Sequence, residues 1–139
     1  MTGLDLRTAQ KVLDSQPFSG LVGAHLTEFG GGAATLEIEG RAELQQQNGF
    51  LHGGVLAYAA DNAITFAAGT TLGPAVLTGG FSIQYLRPAT GTALVARAEV
   101  VHTGRRQAVV RCDLFVVGEG GAENLCAVAQ GTVLSATSS

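Results

Sequence analysis

The sequence predicts an α+β domain in which one long central helix is wrapped by a curved antiparallel sheet of about six strands. Three observations lead there. Over residues 55–68 everything is apolar or small except Tyr58, Asp61, Asn62 and Thr65, so a helix here can face water on no more than a narrow stripe and must be enclosed. Several strand-like segments around it reach 8 to 12 residues, longer than the usual length of about 5 to 6, as a large curved sheet requires. Glycine and proline punctuate the chain at 30–32, 73–74, 104 and within 118–121, where tight turns would join those strands.

In chain order, residues 4–13 set Leu4, Ala9, Val12 and Leu13 among polar side chains, a short amphipathic helix within 1–16 that Pro17 closes and that caps the sheet. Segments 21–29 and 33–39 flank Gly30-Gly31-Gly32; in the second, Leu36 and Ile38 alternate with Thr35, Glu37 and Glu39, the pattern of a hairpin. The central helix is expected over 54–68, with Gly69 just past its end and Gly73-Pro74 leading out. Strands at 75–86, 93–102, 107–117 and 125–135 follow as a meander, with Arg97 and Glu99 opposite Leu94, Ala96, Ala98 and Val100 marking a half-exposed face. Gly79-Gly80 inside the first of these predicts a bulge or a close approach of something to the backbone.

Composition narrows the classes. At 139 residues the chain is long enough for one domain with a real core, expected to span 1–139. Hydrophobic residues make up 46% and charged ones 14%, so more surface than usual needs covering, and a second copy of the chain is the expected cover. A formal charge of −3 offers no general grip on nucleic acid. The longest apolar run falls short of the roughly 20 residues of a bilayer span, no export signal is visible, and a cytoplasmic location is expected. Cys112 and Cys126 lack metal-ligand spacing and read as buried reduced thiols. No nucleotide-binding glycine motif occurs, and no metal or resident cofactor is expected.

The chemistry concentrates at Asn48-Gly49-Phe50-Leu51-His52-Gly53-Gly54 and the helix after it. A helix start presents unpaired N–H groups and partial positive charge, a site for an oxygen that gains negative charge. Gly53 is the preferred donor because nothing blocks approach to its N–H, and Gly54 is expected to assist. Tyr58, Asp61, Asn62 and Thr65 fall at i, i+3, i+4 and i+7, on one stripe. The stripe carries no Lys, Glu or Arg, unlike an ordinary solvated face. Asp61, in apolar surroundings, is therefore the candidate nucleophile or general base, with a locally paired structural acid as the plainer reading. Asn48 has its own plain reading, a loop residue bonded to its own backbone.

Asn48, Leu51-His52-Gly53-Gly54 and an acid nine residues after the histidine, followed by Tyr85-Leu86-Arg87-Pro88-Ala89, resemble the phenylacetate-type branch of the hot-dog-fold acyl-CoA thioesterases over residues 20–135. The resemblance implies hydrolysis of a thioester to a free acid and coenzyme A, the latter being part of the substrate. It also implies a site shared across a homodimer, with Asn48 and Gly53 of one subunit facing Asp61 of the other, and association into a dimer of dimers. A Ser or Thr on the strand after the helix is implied to hold the attacking water, and counting back from Tyr85 gives Thr78. His52 is assigned the part of orienting the loop. Gly79 and Gly80 are expected to widen the acyl pocket; Gly54, Asn62 and Thr65 to touch substrate; and Arg87, Arg105 and Arg106 to meet the phosphates of coenzyme A. Aryl and medium-chain acyl groups both fit the sequence. Two other readings share the fold: a non-catalytic module that binds acyl-CoA as a sensor or scaffold, and a hydratase. The hydratase is disfavoured because Phe66 stands where the Asp-x-Asn-Pro-x-His motif needs its histidine.

Overall fold

A computed structural model describes residues 4–136; positions 1–3 and 137–139 of the expected segment and domain lie outside the described residues. Helix α1 (Leu6–Asp14) opens where Asp5 accepts the Thr8 N–H at 2.9 Å, satisfying one of the unpaired amides of the first turn. Its buried side, Ala9 and Leu13, packs on the first strand, and the Gln10 side-chain amide donates to the Leu26 carbonyl at 2.9 Å.

The chain then departs from expectation. Pro17 both closes α1 and begins a second helix, α2 (Pro17–Val22), so the first strand, β1, spans Ala24–Gly30 rather than starting at 21. Six residues show no periodicity to read. The signals were Pro17 at the first helical position, where its missing N–H costs nothing, and Gly23, which leaves the helix at φ 82°. Arg41 ties down the end by donating to the Leu21 and Val22 carbonyls at 2.6 Å each.

Strand β2 (Ala33–Glu39) forms the expected hairpin with β1. After the central helix α3 (Gly53–Leu72) come β3 (Val76–Tyr85), β4 (Ala93–Thr103), β5 (Gln107–Val117) and β6 (Glu123–Ser135). All six strands form one antiparallel sheet in the order β1-β2-β4-β5-β6-β3. The meander is thus only β4-β5-β6. Strand β3 does not pair with β4; it takes the far edge beside β6, because the connection over 86–92 carries the chain across to the other side of the sheet.

The sheet wraps α3, whose Leu56, Ala59, Ala60, Ala63, Ile64 and Ala67 are 2% exposed or less. Alanines bring the helix axis close to inward residues such as Leu36, Leu94 and Leu114, all fully buried, and this contact holds the fold together. The helix does not stop at Gly69. It runs 20 residues to Leu72, and Gly73 at φ 94° is the residue that ends it. Glycine inside a helix costs about 1 kcal/mol relative to alanine, and the partly buried Leu72, packed against the core, works against that cost.

At the Gly79 position β3 carries a bulge between Thr78 and Gly80. Side chains alternate faces along a strand, and one extra residue resets that alternation. Thr78 therefore faces α3 together with Phe81, Ile83 and Tyr85, paired opposite Val133, Gly131, Ala129 and Ala127 of β6. Cys112 and Cys126 are buried and unpaired; burial pushes the Cys112 thiol up to about 12 and raises that of Cys126.

Candidate active site

The loop before α3 is built by Gln46, whose side-chain oxygen accepts from the Asn48 and Phe50 N–H groups, while Gly49 turns the chain at φ 83°. Asn48 is exposed, and its own side chain has no hydrogen-bond partner among the described residues. It does not serve the loop in the way a backbone-bonded asparagine would; Gln46 does that. Leu51 fastens to the segment after β3 through its N–H to the Ala89 carbonyl at 2.9 Å.

His52 is the N-cap of α3. Its N–H donates to the Leu44 carbonyl at 2.9 Å, and its Nδ1 accepts the Gly54 N–H at 2.8 Å. The Gly54 amide is therefore committed to the cap and is not available as a second donor to a ligand. That of Gly53 has no partner among the described residues, and it stands at the positive end of a 20-residue helix. Tyr85, known from its sequence only as part of a motif, acquires a role here: its hydroxyl donates to the Gly53 carbonyl at 2.9 Å. This pins the peptide next to the free amide. Gly53, Phe50, Tyr85 and Arg87 line a groove of about 370 Å³.

Two turns along α3 lies a separate cavity of about 360 Å³, walled by Asp61, Thr65 and Thr78 and by apolar residues including Val12, Phe29 and Phe66. Thr78 donates its hydroxyl proton to Asp61 Oδ1 at 2.6 Å, and the Thr65 and Thr78 hydroxyls stand 2.8 Å apart. The other carboxylate oxygen, Oδ2, has no hydrogen bond among the described residues. Of the remaining members of the stripe, Asn62 also lines this cavity and its side-chain amide donates to the Tyr58 carbonyl at 3.3 Å, while the Tyr58 hydroxyl donates to Ser19 of α2. Burial raises the Tyr58 hydroxyl above its ordinary range, so it stays a donor at neutral pH.

The structure thus brings Asp61, Thr65 and Thr78 together, and separately Gly53, His52, Tyr85 and Arg87. The two groups do not meet within one chain: Gly53 and Asp61 are eight residues apart on α3, about 12 Å along the axis. Gly79 and Gly80 line neither space. Their place is the bulge, and Val76, Leu77 and Thr78 supply the wall they were expected to open. The arginines divide as well: Arg87 lies by the start of α3, whereas Arg105 and Arg106 lie in the β4–β5 turn, whose Thr103 bonds Thr71 near the helix end. Arg87 and that pair therefore belong to opposite ends of a helix about 30 Å long. Among the described residues no group of three His, Cys, Asp or Glu side chains is placed to hold a metal ion, and no helix is long and apolar enough to cross a membrane.

Comparison with known proteins gives this geometry a family. The sequence profile of the Thioesterase superfamily matches residues 48–122, more than half of the chain and the whole stretch from Asn48 through Arg106. A thioesterase family protein of Silicibacter pomeroyi is 32% identical, with 94% of this chain and 98% of that one covered and a TM-score of 0.86. A point variant of the phenylacetic acid degradation protein PaaI of Thermus thermophilus is also 32% identical, over 86% and 99% of the two chains at a TM-score of 0.75. The PaaI protein of Escherichia coli, at 21% identity, shares the fold over 93% and 91% with a TM-score of 0.79. No curated protein gives a significant match. With the enclosed helix, the six-stranded wrap and these matches in hand, the chain belongs to the Thioesterase superfamily as a hot-dog-fold thioester hydrolase of the PaaI type.

Proposed function

We propose that the protein hydrolyses acyl-CoA thioesters, with Asp61 as general base and the Gly53 N–H of a second copy as the oxyanion donor. The observation that carries this reading is the carboxylate of Asp61, set in the wall of an apolar pocket with one oxygen held by Thr78 at 2.6 Å and the other unengaged among the described residues. A carboxylate against apolar walls calls for hydrogen-bond partners, and Thr78 supplies one for only one of the two oxygens. The free oxygen takes a proton from water as the water oxygen attacks the thioester carbonyl. The resulting oxyanion is held by the Gly53 amide, a kind of interaction typically worth about 10²–10³ in rate. Collapse of the tetrahedral adduct breaks the carbon–sulfur bond, and the departing thiolate recovers the proton from Asp61.

Association of two copies supplies the missing proximity. Among the described residues strand β3 is a sheet edge that pairs with β6 alone, and it shows Leu77, Phe81 and Tyr85 at 65%, 36% and 53% exposure. An exposed edge with apolar side chains is a template for a second strand. In the proposed homodimer this seam sets Asn48 and Gly53 of one subunit opposite Asp61 of the other, and Arg87 at the groove mouth meets a phosphate of coenzyme A. Pairing of dimers into tetramers is part of the same proposal.

Release of free thiol from a panel of acyl-CoA esters tests it. Asp61→Asn keeps the shape and removes the base, so turnover is expected to fall by about 10²–10⁴ while acyl-CoA still binds. Undiminished turnover in Asp61→Asn would sink the assignment. Tight binding with no thiol released by the parent protein would favour the sensor or scaffold.

A further inference from the structure

Gly69 lies inside α3, where glycine is among the poorest helix formers, and nothing in the fold requires it. Its φ is not among the positive values the backbone adopts elsewhere, and the helix continues unbroken to Leu72. Close packing does not demand it either. A Cβ built on Gly131 would come within 2.7 Å of the Phe81 side chain, whereas one built on Gly69 would meet no heavy atom within 4 Å. Yet Gly69 is buried and lines the Asp61 cavity. A side chain omitted from a pocket wall, with open space where it would stand, leaves that space to a ligand.

The cavity has a direction. Asn62, Thr65, Phe66 and Gly69 all line it and fall at i, i+3, i+4 and i+7, on one stripe. From Asp61 to Gly69 the stripe runs about 12 Å. Its polar members gather at the carboxylate end: Thr78 bonds Asp61, and Gln16 accepts from Ser19, which in turn is bonded by Tyr58. Toward Gly69 the walls are Phe66, Phe29, Val76 and Pro74, with the two rings edge to face at 6.3 Å. A ring one carbon away from the thioester carbonyl would stop well short of Gly69; an extended alkyl chain would reach it.

We propose that this channel takes an unbranched medium-chain acyl group lying along α3, and that Gly69 is the residue that sets its permitted length. The proposal rests on the thioesterase reading of Asp61, and the test separates the two. Parent, Gly69→Ala and Gly69→Leu are compared on acetyl-, phenylacetyl-, octanoyl- and decanoyl-CoA, by thiol release and by calorimetric binding. The parent is expected to favour octanoyl- or decanoyl-CoA over both shorter esters. Gly69→Leu should lower kcat/KM for them by about tenfold or more while acetyl-CoA changes by less than about twofold. Gly69→Ala, which collides with nothing, should melt above the parent. If no ester is hydrolysed but Gly69→Leu selectively weakens octanoyl-CoA binding, the channel stands and the hydrolytic reading fails. If hydrolysis is present and Gly69→Leu alters all esters alike, or none, or if phenylacetyl-CoA is the best substrate, the channel is refuted and hydrolysis stands. A lower melting point for Gly69→Ala would also refute it, since the glycine would then be a structural requirement.

Discussion

Thr78 has one proton to give, and the structure spends it on Asp61 Oδ1. Thr65 gives its own hydroxyl proton to the Asp61 backbone carbonyl at 2.8 Å, so the 2.8 Å approach of the Thr65 and Thr78 oxygens sets two hydroxyls beside the carboxylate without adding a second donor to it. The Thr78 bond fixes which carboxylate oxygen is held and which is left free. Thr78→Val removes the donor and keeps the shape. A hydrogen bond to a charged group is worth about 1.5–3 kcal/mol, which corresponds to a fall in kcat of roughly tenfold to hundredfold. Steady-state kinetics with separate kcat and KM check this. Thr78→Ser should restore most of the rate, and an unchanged kcat in Thr78→Val would exclude a part for this hydrogen bond in turnover. Thr78 was reachable from the sequence only by counting back along a resembling strand. Its partnership with Thr65 was not, because strand parity from Phe81, Ile83 and Tyr85 places residue 78 on the opposite face until the bulge is known.

That bulge makes the element scale decisive. Strand β3 reaches Asp61 only because β6 lets it come close, and the close approach falls at Gly131. A Cβ there would stand 2.7 Å from the Phe81 Cβ and 2.9 Å from the Gly80 carbonyl oxygen, contacts that neither rigid backbone nor a β-carbon can evade. Gly131→Ala is therefore expected to destabilise the protein by about 1–3 kcal/mol, as overpacking does. Equilibrium denaturation measures the loss, and a variant as stable as the parent would contradict the packing. The long strands and the enclosed helix were legible because each is dictated by local pattern: β2 and β5 fall at their expected limits. Helix α2 and the true end of α3 were not. The first is too short to show a period, and the second depends on the packing of a partly buried Leu72 against distant segments.

Across the whole molecule, the amide at the start of α3 and the carboxylate two turns on cannot serve one carbonyl, since reacting atoms must lie about 3–3.5 Å apart. Two defective copies should therefore repair each other. Gly53→Pro deletes the amide at a first helical position, where proline is tolerated, and His52 before it is already extended at ψ 136°, as proline prefers. Each of Gly53→Pro and Asp61→Asn alone is expected to be nearly inactive. Mixed by co-expression, a Gly53→Pro copy supplies Asp61 and an Asp61→Asn copy supplies the Gly53 amide, so one composite site regains turnover. Thiol release by the purified mixture reads this directly; a mixture no more active than its components would show that the site is not shared between subunits.

By itself the sequence determined the enclosed helix, the lengths of most strands, the glycine-rich helix start and the acid nine residues after His52, because periodicity, apolar runs and motif spacing are local properties of the chain. Only the tertiary structure decided that β3 crosses to the far edge, that Gly54 is occupied by His52, that Thr78 turns inward to Asp61, and that Gly69 lines the Asp61 cavity rather than ending a helix. Each of these depends on which surfaces meet across distant segments, and close packing between them is not written in any single stretch of residues.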